Sequence, residues 1–380
     1  MHLFLSAGEP SGDLHGANLV RALARHNPAV RVTGLGGPRM AAAGATVLYP
    51  LAKHAVMGFV RVLKHLRTFF RAARLAQRSW AADRPDAVVI IDCSGFNLPL
   101  AKRAHAAGIP VYYFMPPQVW AWRSGRVEKI RRWCAGVLTV LPFEDEWYRS
   151  RGVATHFVGH PYFDELAAQQ PDAAYVAAER SGVGPIVGLL PGSRDQEVTA
   201  NLRLLVGTAR RVAAERPDAR FRVAAFNDRH ADVCRAAFAG LSLPVEVLVG
   251  RTPEVISMAT ACVAVSGSVS LELMARHVPS VVVYRMGRWT RKLVLKLVKV
   301  RWMSLVNLLA GEELYPENAT DSDDPTPVAA PVLRWLNDEA ARSEVVGRLR
   351  ELTSREARPG ACDRAAAYLL AAAGGRAAAA

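Results

Sequence analysis

Short apolar runs rich in β-branched residues alternate with amphipathic stretches along the whole chain, in two successive series. The runs of the first series fall at 3–7, 30–35, 87–92, 111–115 and 137–141. Those of the second fall at 186–190, 220–225, 245–249, 262–266 and 280–284. Runs without polar alternation are buried on both faces, and helical patterns between them (12–25, 58–80, 98–107, 196–215 and 269–276 among others) supply the cover. The pattern predicts an α/β fold with two Rossmann-like parallel-sheet domains facing a central cleft, ligands lying at the carboxyl ends of the strands. The break between Gly159-His160-Pro161 and Gly184-Pro185 sets the boundary. It implies an N-terminal domain over 1–165, a second domain over 166–345, and a helical, Ala-rich segment over 346–380.

Composition narrows the class. With 380 residues, 51% hydrophobic and 22% charged, the chain can bury two cores and is not a disordered protein. No apolar run reaches 18 residues, and the N-terminus lacks the basic start and long apolar core of a signal peptide. The five cysteines are scattered without metal spacing, which suits reduced thiols, and the histidines show no HExxH. A cytoplasmic protein is expected, with neither metal nor cofactor.

The net charge of +14 is concentrated in two patches. Between Leu14 and Ala82 there are eleven basic residues and no acidic one; between Arg285 and Arg301 there are seven and none. In the first patch Phe59, Leu63, Leu66, Phe69 and Phe70 recur at helical spacing, interleaved with Arg61, Lys64, Arg67, Arg71 and Arg74. In the second, Trp289, Leu293 and Leu297 run beside Arg288, Lys292, Lys296 and Lys299. Large apolar residues flanked by Lys and Arg suit helices lying on an anionic membrane. The alternative is an ordinary core-facing helix with a solvated arginine face. No nucleic-acid-binding motif accompanies the charge.

Strand-end turns carry the chemistry. Ser6-Ala7-Gly8-Glu9-Pro10-Ser11-Gly12-Asp13 and Gly34-Leu35-Gly36-Gly37-Pro38 lead from strand to helix, with small residues that admit a close ligand. Neither is a dinucleotide fingerprint or a Walker loop. In the second half, Pro191-Gly192-Ser193-Arg194 and Ser266-Gly267-Ser268 form two further turns suited to a diphosphate. Arg194 adds a bidentate charge there, and Glu272 stands one helical turn on, where a ribose would lie. Alone, Ser193 and Ser268 could equally cap helices.

The chain closely resembles the lipid-A-disaccharide synthases, inverting glycosyltransferases of the GT-B fold, over nearly its whole length. The resemblance rests on Ala7-Gly8-Glu9-Pro10-Ser11-Gly12-Asp13, Gly36-Gly37-Pro38-Arg39-Met40, Pro117-Gln118-Val119-Trp120-Ala121-Trp122-Arg123, Leu141-Pro142-Phe143-Glu144, Val158-Gly159-His160-Pro161, Leu190-Pro191-Gly192-Ser193-Arg194, Tyr284-Arg285-Met286 and Val306-Asn307-Leu308-Leu309-Ala310-Gly311. It implies transfer of 2,3-diacylglucosamine from its UDP donor to the 6-hydroxyl of 2,3-diacylglucosamine 1-phosphate (lipid X). The products are the β-1′,6-linked disaccharide 1-phosphate and UDP. It also implies a peripheral enzyme on the inner face of a Gram-negative-type inner membrane, and a homodimer whose C-terminal segment crosses to the partner.

Inversion needs a base near the acceptor hydroxyl and stabilisation of the departing diphosphate. Asp92, ending the run 87–92, is the candidate base, with Glu9 and Asp13 from the first loop behind it; some relatives carry an aspartate where this chain has Gly95. Gly192, Ser193, Arg194, Gly267, Ser268, Glu272 and Arg285 make the UDP site, with Asn307 carried over from the resemblance. Phe59, Arg61, Leu63, Lys64, Leu66, Arg67, Phe69 and Phe70 form the membrane and acceptor surface. His160 is expected to shape the turn between domains, and Asp321, Asp323 and Asp324 to sit in a loop before a helix. A UDP-sugar 2-epimerase would share the architecture without needing a lipid surface.

Overall fold

The computed structural model describes residues 1–54, 66–265, 267–288, 291 and 300–377, without the side chains of 53, 54, 66, 376 and 377. Two parallel sheets carry the chain. The first contains β1 (His2–Ala7), β2 (Arg31–Leu35), β3 (Thr46–Tyr49), β4 (Ala87–Ile91), β5 (Val111–Phe114), β6 (Gly136–Thr139) and β7 (Thr155–Phe157), in the order 3-2-1-4-5-6-7. The second contains β8 (Ile186–Leu190), β9 (Arg220–Ala225), β10 (Val245–Val249), β11 (Ala261–Val265), β12 (Ser280–Arg285) and β13 (Glu317–Thr320), in the order 10-9-8-11-12-13. In each sheet the winding reverses beside its first strand, between β1 and β4 and between β8 and β11. Such reversals leave a crevice at the carboxyl ends of the strands.

Ten of these strands are the apolar runs of the sequence. The three it does not announce, β3, β7 and β13, are edge strands of three or four residues, none of them fully buried. With one partner and a wet face they need no continuous hydrophobic run. Central strands do: β4 and β8 are buried at every position, and β1 as well. In the first unit Ala72, Ala76 and Trp80 of the helix Leu66–Ala82 cover Phe4 and Val88, with Trp80 edge-on to Phe4 at 5.3 Å. In the second, Leu205, Ala209 and Val212 of the helix Asp195–Glu215 cover Val187 and Leu189. Each such Val, Leu or Phe contributes about 1.5–3 kcal/mol by leaving water.

The chain divides into two compact units, Met1–Asp164 together with Arg358–Ala380, and Glu165–Ala357. The stretch expected as a break holds two helices, Tyr162–Ala168 and Ala173–Arg180. The C-terminal stretch is itself split. The helix Glu339–Glu356 stays with the second unit, where Thr353 Oγ1 donates to the Met274 carbonyl at 2.9 Å. The helix Ala361–Ala377 packs instead on the helix Pro10–His26 of the first unit.

Asp164 makes that return possible. Its carboxylate accepts the backbone N–H groups of Gly360 (2.6 Å), Ala361 (3.0 Å) and Cys362 (2.9 Å), the free donors at the start of the last helix. Arg364 Nε donates to the Val158 carbonyl at 2.9 Å, and Tyr368 stacks on His156 at 4.5 Å. Asp164→Ala should therefore cost about 1–2 kcal/mol. Hydrogen exchange is the check: amides of 361–377 should exchange faster, while those of the second sheet stay as in wild type.

Candidate functional site

In the first unit Ser6 pairs with Leu35 and Ala7 with Ile91, so the ends of β1, β2 and β4 lie level and their loops converge. Past β4 the chain takes two consecutive left-handed residues, Asp92 (φ 48°) and Cys93 (φ 39°). Without glycine, such a turn is strained. It is held by Asn97, which is fully buried: its Nδ2 donates to the carbonyls of Ile91 (2.8 Å) and Asp92 (3.0 Å), and its Oδ1 accepts from Ser6 Oγ at 2.7 Å. Tyr113 O–H also donates to the Asp92 carbonyl, at 2.8 Å. The Asp92 side chain, half-buried, is thereby presented at the strand end, and Cys93 rather than Asp92 occupies the N-cap of the helix Ser94–Ala106.

Glu9 shares this place. Burial pushes the Cys93 thiol up to about 12, with the negative charges of Glu9 and Asp92 adding to it, so both carboxylates act on one sulfur. Any Cβ at Gly8 would come within 2.6 Å of Cys93 Sγ, which fixes glycine there. Asp13 is different. Its buried carboxylate accepts the backbone N–H of Gly37 (2.7 Å), Arg39 (3.1 Å) and Met40 (3.1 Å), closing the short helix Pro38–Ala42. The sequence placed Asp13 among the candidate bases; the structure commits it to backbone donors.

Between β5 and β6 runs the Gln118–Arg123 stretch. Trp120 Nε1 donates to Glu144 at 3.0 Å, and the Trp120 ring meets Phe143 edge-on at 4.9 Å. Glu144 also accepts the Val140 N–H at 3.3 Å. Burial pushes its carboxyl up to about 7 despite these donors. Arg126 donates to Ser94 Oγ at 2.6 Å, next to the strained turn. Asn97, Tyr113, Glu144 and Arg126 do not stand out as site residues in the sequence, because their roles depend on partners as far as 21 to 91 residues away. His160 accepts the Tyr162 N–H at 3.2 Å, and burial pushes its imidazole down to about 3, with His15 adding to it; it is a neutral turn residue.

In the second unit, Gly192 (φ 105°) turns the chain so that Ser193 and Arg194 are exposed past β8. Glu197 closes back on them: its carboxylate accepts the N–H groups of Ser193 (3.1 Å) and Arg194 (3.2 Å) and the Arg194 guanidinium (2.5 Å). Gly267 and Ser268 are exposed past β11, and Ser268 sits at the N-cap of the helix Val269–Ala275 without a side-chain cap bond; Ser266 lies outside the described residues. Glu272 is buried and pairs with Arg276 Nε at 3.0 Å. Arg285 pairs with Asp323 at 2.5 Å, and its backbone N–H donates to Asn201. Asp321 faces Arg291 at 3.4 Å, and Asp324 accepts the Thr326 N–H at 3.0 Å.

Asn307 is fully engaged by its surroundings. Fully buried, it donates to the Tyr315 carbonyl (2.7 Å) and Glu317 (2.9 Å) and accepts the N–H groups of Leu314 and Tyr315 (both 2.9 Å). A primary amide has no further strong bond to offer, so Asn307 staples its own segment.

On the surface of the first unit, Arg67, Arg71, Arg74 and Arg78 project from the helix Leu66–Ala82 and, with Phe70 and Tyr49, line a groove of about 690 Å³. Phe70 is 55% exposed, whereas Phe69 turns inward against Phe96 at 5.6 Å. Phe59, Arg61, Leu63 and Lys64, Trp289, Leu293 and Leu297 with their lysines, and the side chain of Leu66 lie outside the described residues.

Known proteins resemble the chain end to end. A family model described as lipid-A-disaccharide synthetase matches residues 3–371. Lipid-A-disaccharide synthases of Thiobacillus denitrificans and Alkalilimnicola ehrlichii are 38% and 41% identical to it, covering 96% and 99% of the chain and 97% and 99% of the relatives. Among solved structures, a UDP complex of S. aureus MnaA aligns with a TM-score of 0.68 at 12% identity, over 97% of this chain and 96% of that one. The calicheamicin glycosyltransferase CalG4 aligns with a TM-score of 0.61 at 17% identity, over 97% and 98%. At such identities these structures speak for the fold, that of the GT-B enzymes.

Glu144 gives a test of the first site. Below the ordinary carboxyl value of 4.5 both folded and unfolded chains hold its proton; from there to about 7 only the folded chain does. Stability should therefore fall as pH rises through that window, by on the order of 3 kcal/mol from this residue. Glu144→Gln has no proton to lose. Its urea midpoint relative to wild type should be higher at pH 8 than at pH 4.5.

Proposed function

The chain belongs to the lipid-A-disaccharide synthase family and is a glycosyltransferase, and from that premise we propose the reaction and the residues that perform it. The donor is UDP-2,3-diacylglucosamine and the acceptor is lipid X. A base removes the proton of the acceptor 6-hydroxyl, the oxygen bonds to the donor's anomeric carbon from the face opposite the diphosphate, and UDP departs. The single in-line displacement converts the α-linked donor to a β-linked product.

Asp92 is the base. The observation that carries this is the strained turn: backbone energy and a buried network hold one carboxylate at the strand end, the arrangement expected of a residue kept for chemistry. Glu9 stands second, its charge acting on the same sulfur. The UDP is held in the second unit by Ser193, Arg194, the backbone of Gly267 and Ser268, and Arg285. Arg194 must first release Glu197. Glu272 reaches the ribose only by leaving Arg276.

The acylated substrates call for an interface. Among the described residues no helix is long and apolar enough to cross a membrane. The groove of four arginines beside exposed Phe70 suits anionic lipid headgroups on the inner face of the inner membrane. The protein forms a homodimer in which the last helix, which here covers its own first unit, is exchanged with the partner, using the same contacts between chains.

Asp92→Asn should lower kcat by about 10²–10⁴-fold while UDP still binds, since Asn97 and Tyr113 still hold the backbone carbonyl of residue 92. The disaccharide 1-phosphate, identified by mass, and released UDP are the readouts; undiminished turnover moves the role to Glu9. The double variant R71E/R74E should lose roughly 1 kcal/mol of vesicle binding per arginine. It should also bind anionic vesicles with a flatter salt dependence, and unchanged binding would count against the groove.

A further inference from the structure

The stretch from Pro117 to Arg126 is gripped at three points. Tyr148 O–H donates to the Pro117 carbonyl at 3.0 Å, Trp120 is bonded to buried Glu144, and Arg126 is bonded to Ser94. Between the grips the chain turns outward. Trp122 is 44% exposed, and Arg123 takes a left-handed backbone (φ 58°) with its guanidinium 4.5 Å from the Trp122 ring. Buried hydrogen bonds and backbone strain thus serve to hold an indole and a guanidinium in solvent, where neither adds to the core.

The electrostatics point the same way. Arg126 is half-buried, and after burial the influence that most disfavours its charge is the like charge of Arg123. An anion between the two would relieve that repulsion. Through Ser94, Arg126 is tied to the start of the helix that follows the Asp92 turn, so a ligand on it lies at the same strand end, a sugar's width from the proposed base. The Arg123 guanidinium lies over one face of the exposed Trp122 ring; the C–H face of a pyranose can lie on the other, with the phosphate oxygens taking N–H donors from the two arginines.

We propose that Trp122, Arg123 and Arg126 bind the sugar 1-phosphate end of the acceptor and are the residues that make the enzyme demand a phosphorylated acceptor. This rests on the transferase reading above and adds to it the groups that select one acceptor over another. Arg123 and Arg126 grip the phosphate, Trp122 supports the ring, and the 6-hydroxyl is left to Asp92.

The test compares two acceptors, 2,3-diacylglucosamine 1-phosphate and the same sugar without the phosphate, in wild type, Arg123→Gln, Arg126→Gln and Arg126→Lys. Each Gln variant should raise KM for the phosphorylated acceptor about 10- to 100-fold, the worth of a charged hydrogen bond. For Arg123→Gln the kcat and the donor KM should stay within about twofold of wild type. On the unphosphorylated acceptor Arg123→Gln should match wild type, so that the preference for phosphate collapses, and Arg126→Lys should keep more of that preference than Arg126→Gln. Equal losses on both acceptors, or a raised donor KM instead, would overturn the assignment. Should Arg126→Gln fail to fold, exposed Arg123→Gln decides alone. Wild type giving no disaccharide from either acceptor would sink the transferase reading itself, a separate result.

Discussion

The first unit depends on one buried amide. Two successive left-handed residues cost about 1–3 kcal/mol each, and Asp92 and Cys93 hold that conformation with no glycine to ease it. Against this stand five hydrogen bonds centred on Asn97 and the Asp92 carbonyl, each with a net worth of about 0.5–1.5 kcal/mol. The two sides nearly balance, so the turn persists only while the network is complete. Ser6 brings β1 into it and Tyr113 brings β5, which makes three strands answerable for the position of one carboxylate.

Much of the fold was legible because parallel sheets covered on both faces need uninterrupted β-branched runs, and runs such as Ala87–Ile91 admit no other burial. The edges were not. Glu317–Thr320 has neither hydrophobicity nor alternation, and pairs because β12 offers a free edge after the crossover. The division of the C-terminal stretch was hidden as well: nothing in an Ala-rich helical pattern says which unit it will cover, and the answer lies in one aspartate, Asp164, placed 196 residues earlier than Gly360.

The site was legible by segment and less so by residue. Asp13 and Asn307 occur in strings as distinctive as that of Asp92, and their side chains are engaged by backbone groups, those of the loop after β2 for Asp13 and of its own segment for Asn307. A side chain kept for architecture and one kept for chemistry look alike in sequence when both are polar and sit at strand ends. The hydrogen-bond inventory separates them: an amide with all four of its bonds made inside its own segment has nothing left for a substrate. Glu144 shows the reverse. It resembles a helix-start carboxylate of the ordinary kind, and only burial against Trp120 reveals that it holds a loop in place.

The first unit is discontinuous, closing with a helix that begins only at Ala361, after the whole of Glu165–Ala357. During synthesis the face of the helix Pro10–His26 that this last helix covers therefore waits, uncovered, while the second unit is made, roughly 10 to 40 s at usual elongation rates. The second unit, contiguous in sequence, can complete its sheet in that interval. Connectivity thus lets the later-encoded unit mature before the earlier one can receive a helix Ala361–Ala377. Messages or mutations that cut the chain short near its end would then harm the beginning of the protein more than the middle.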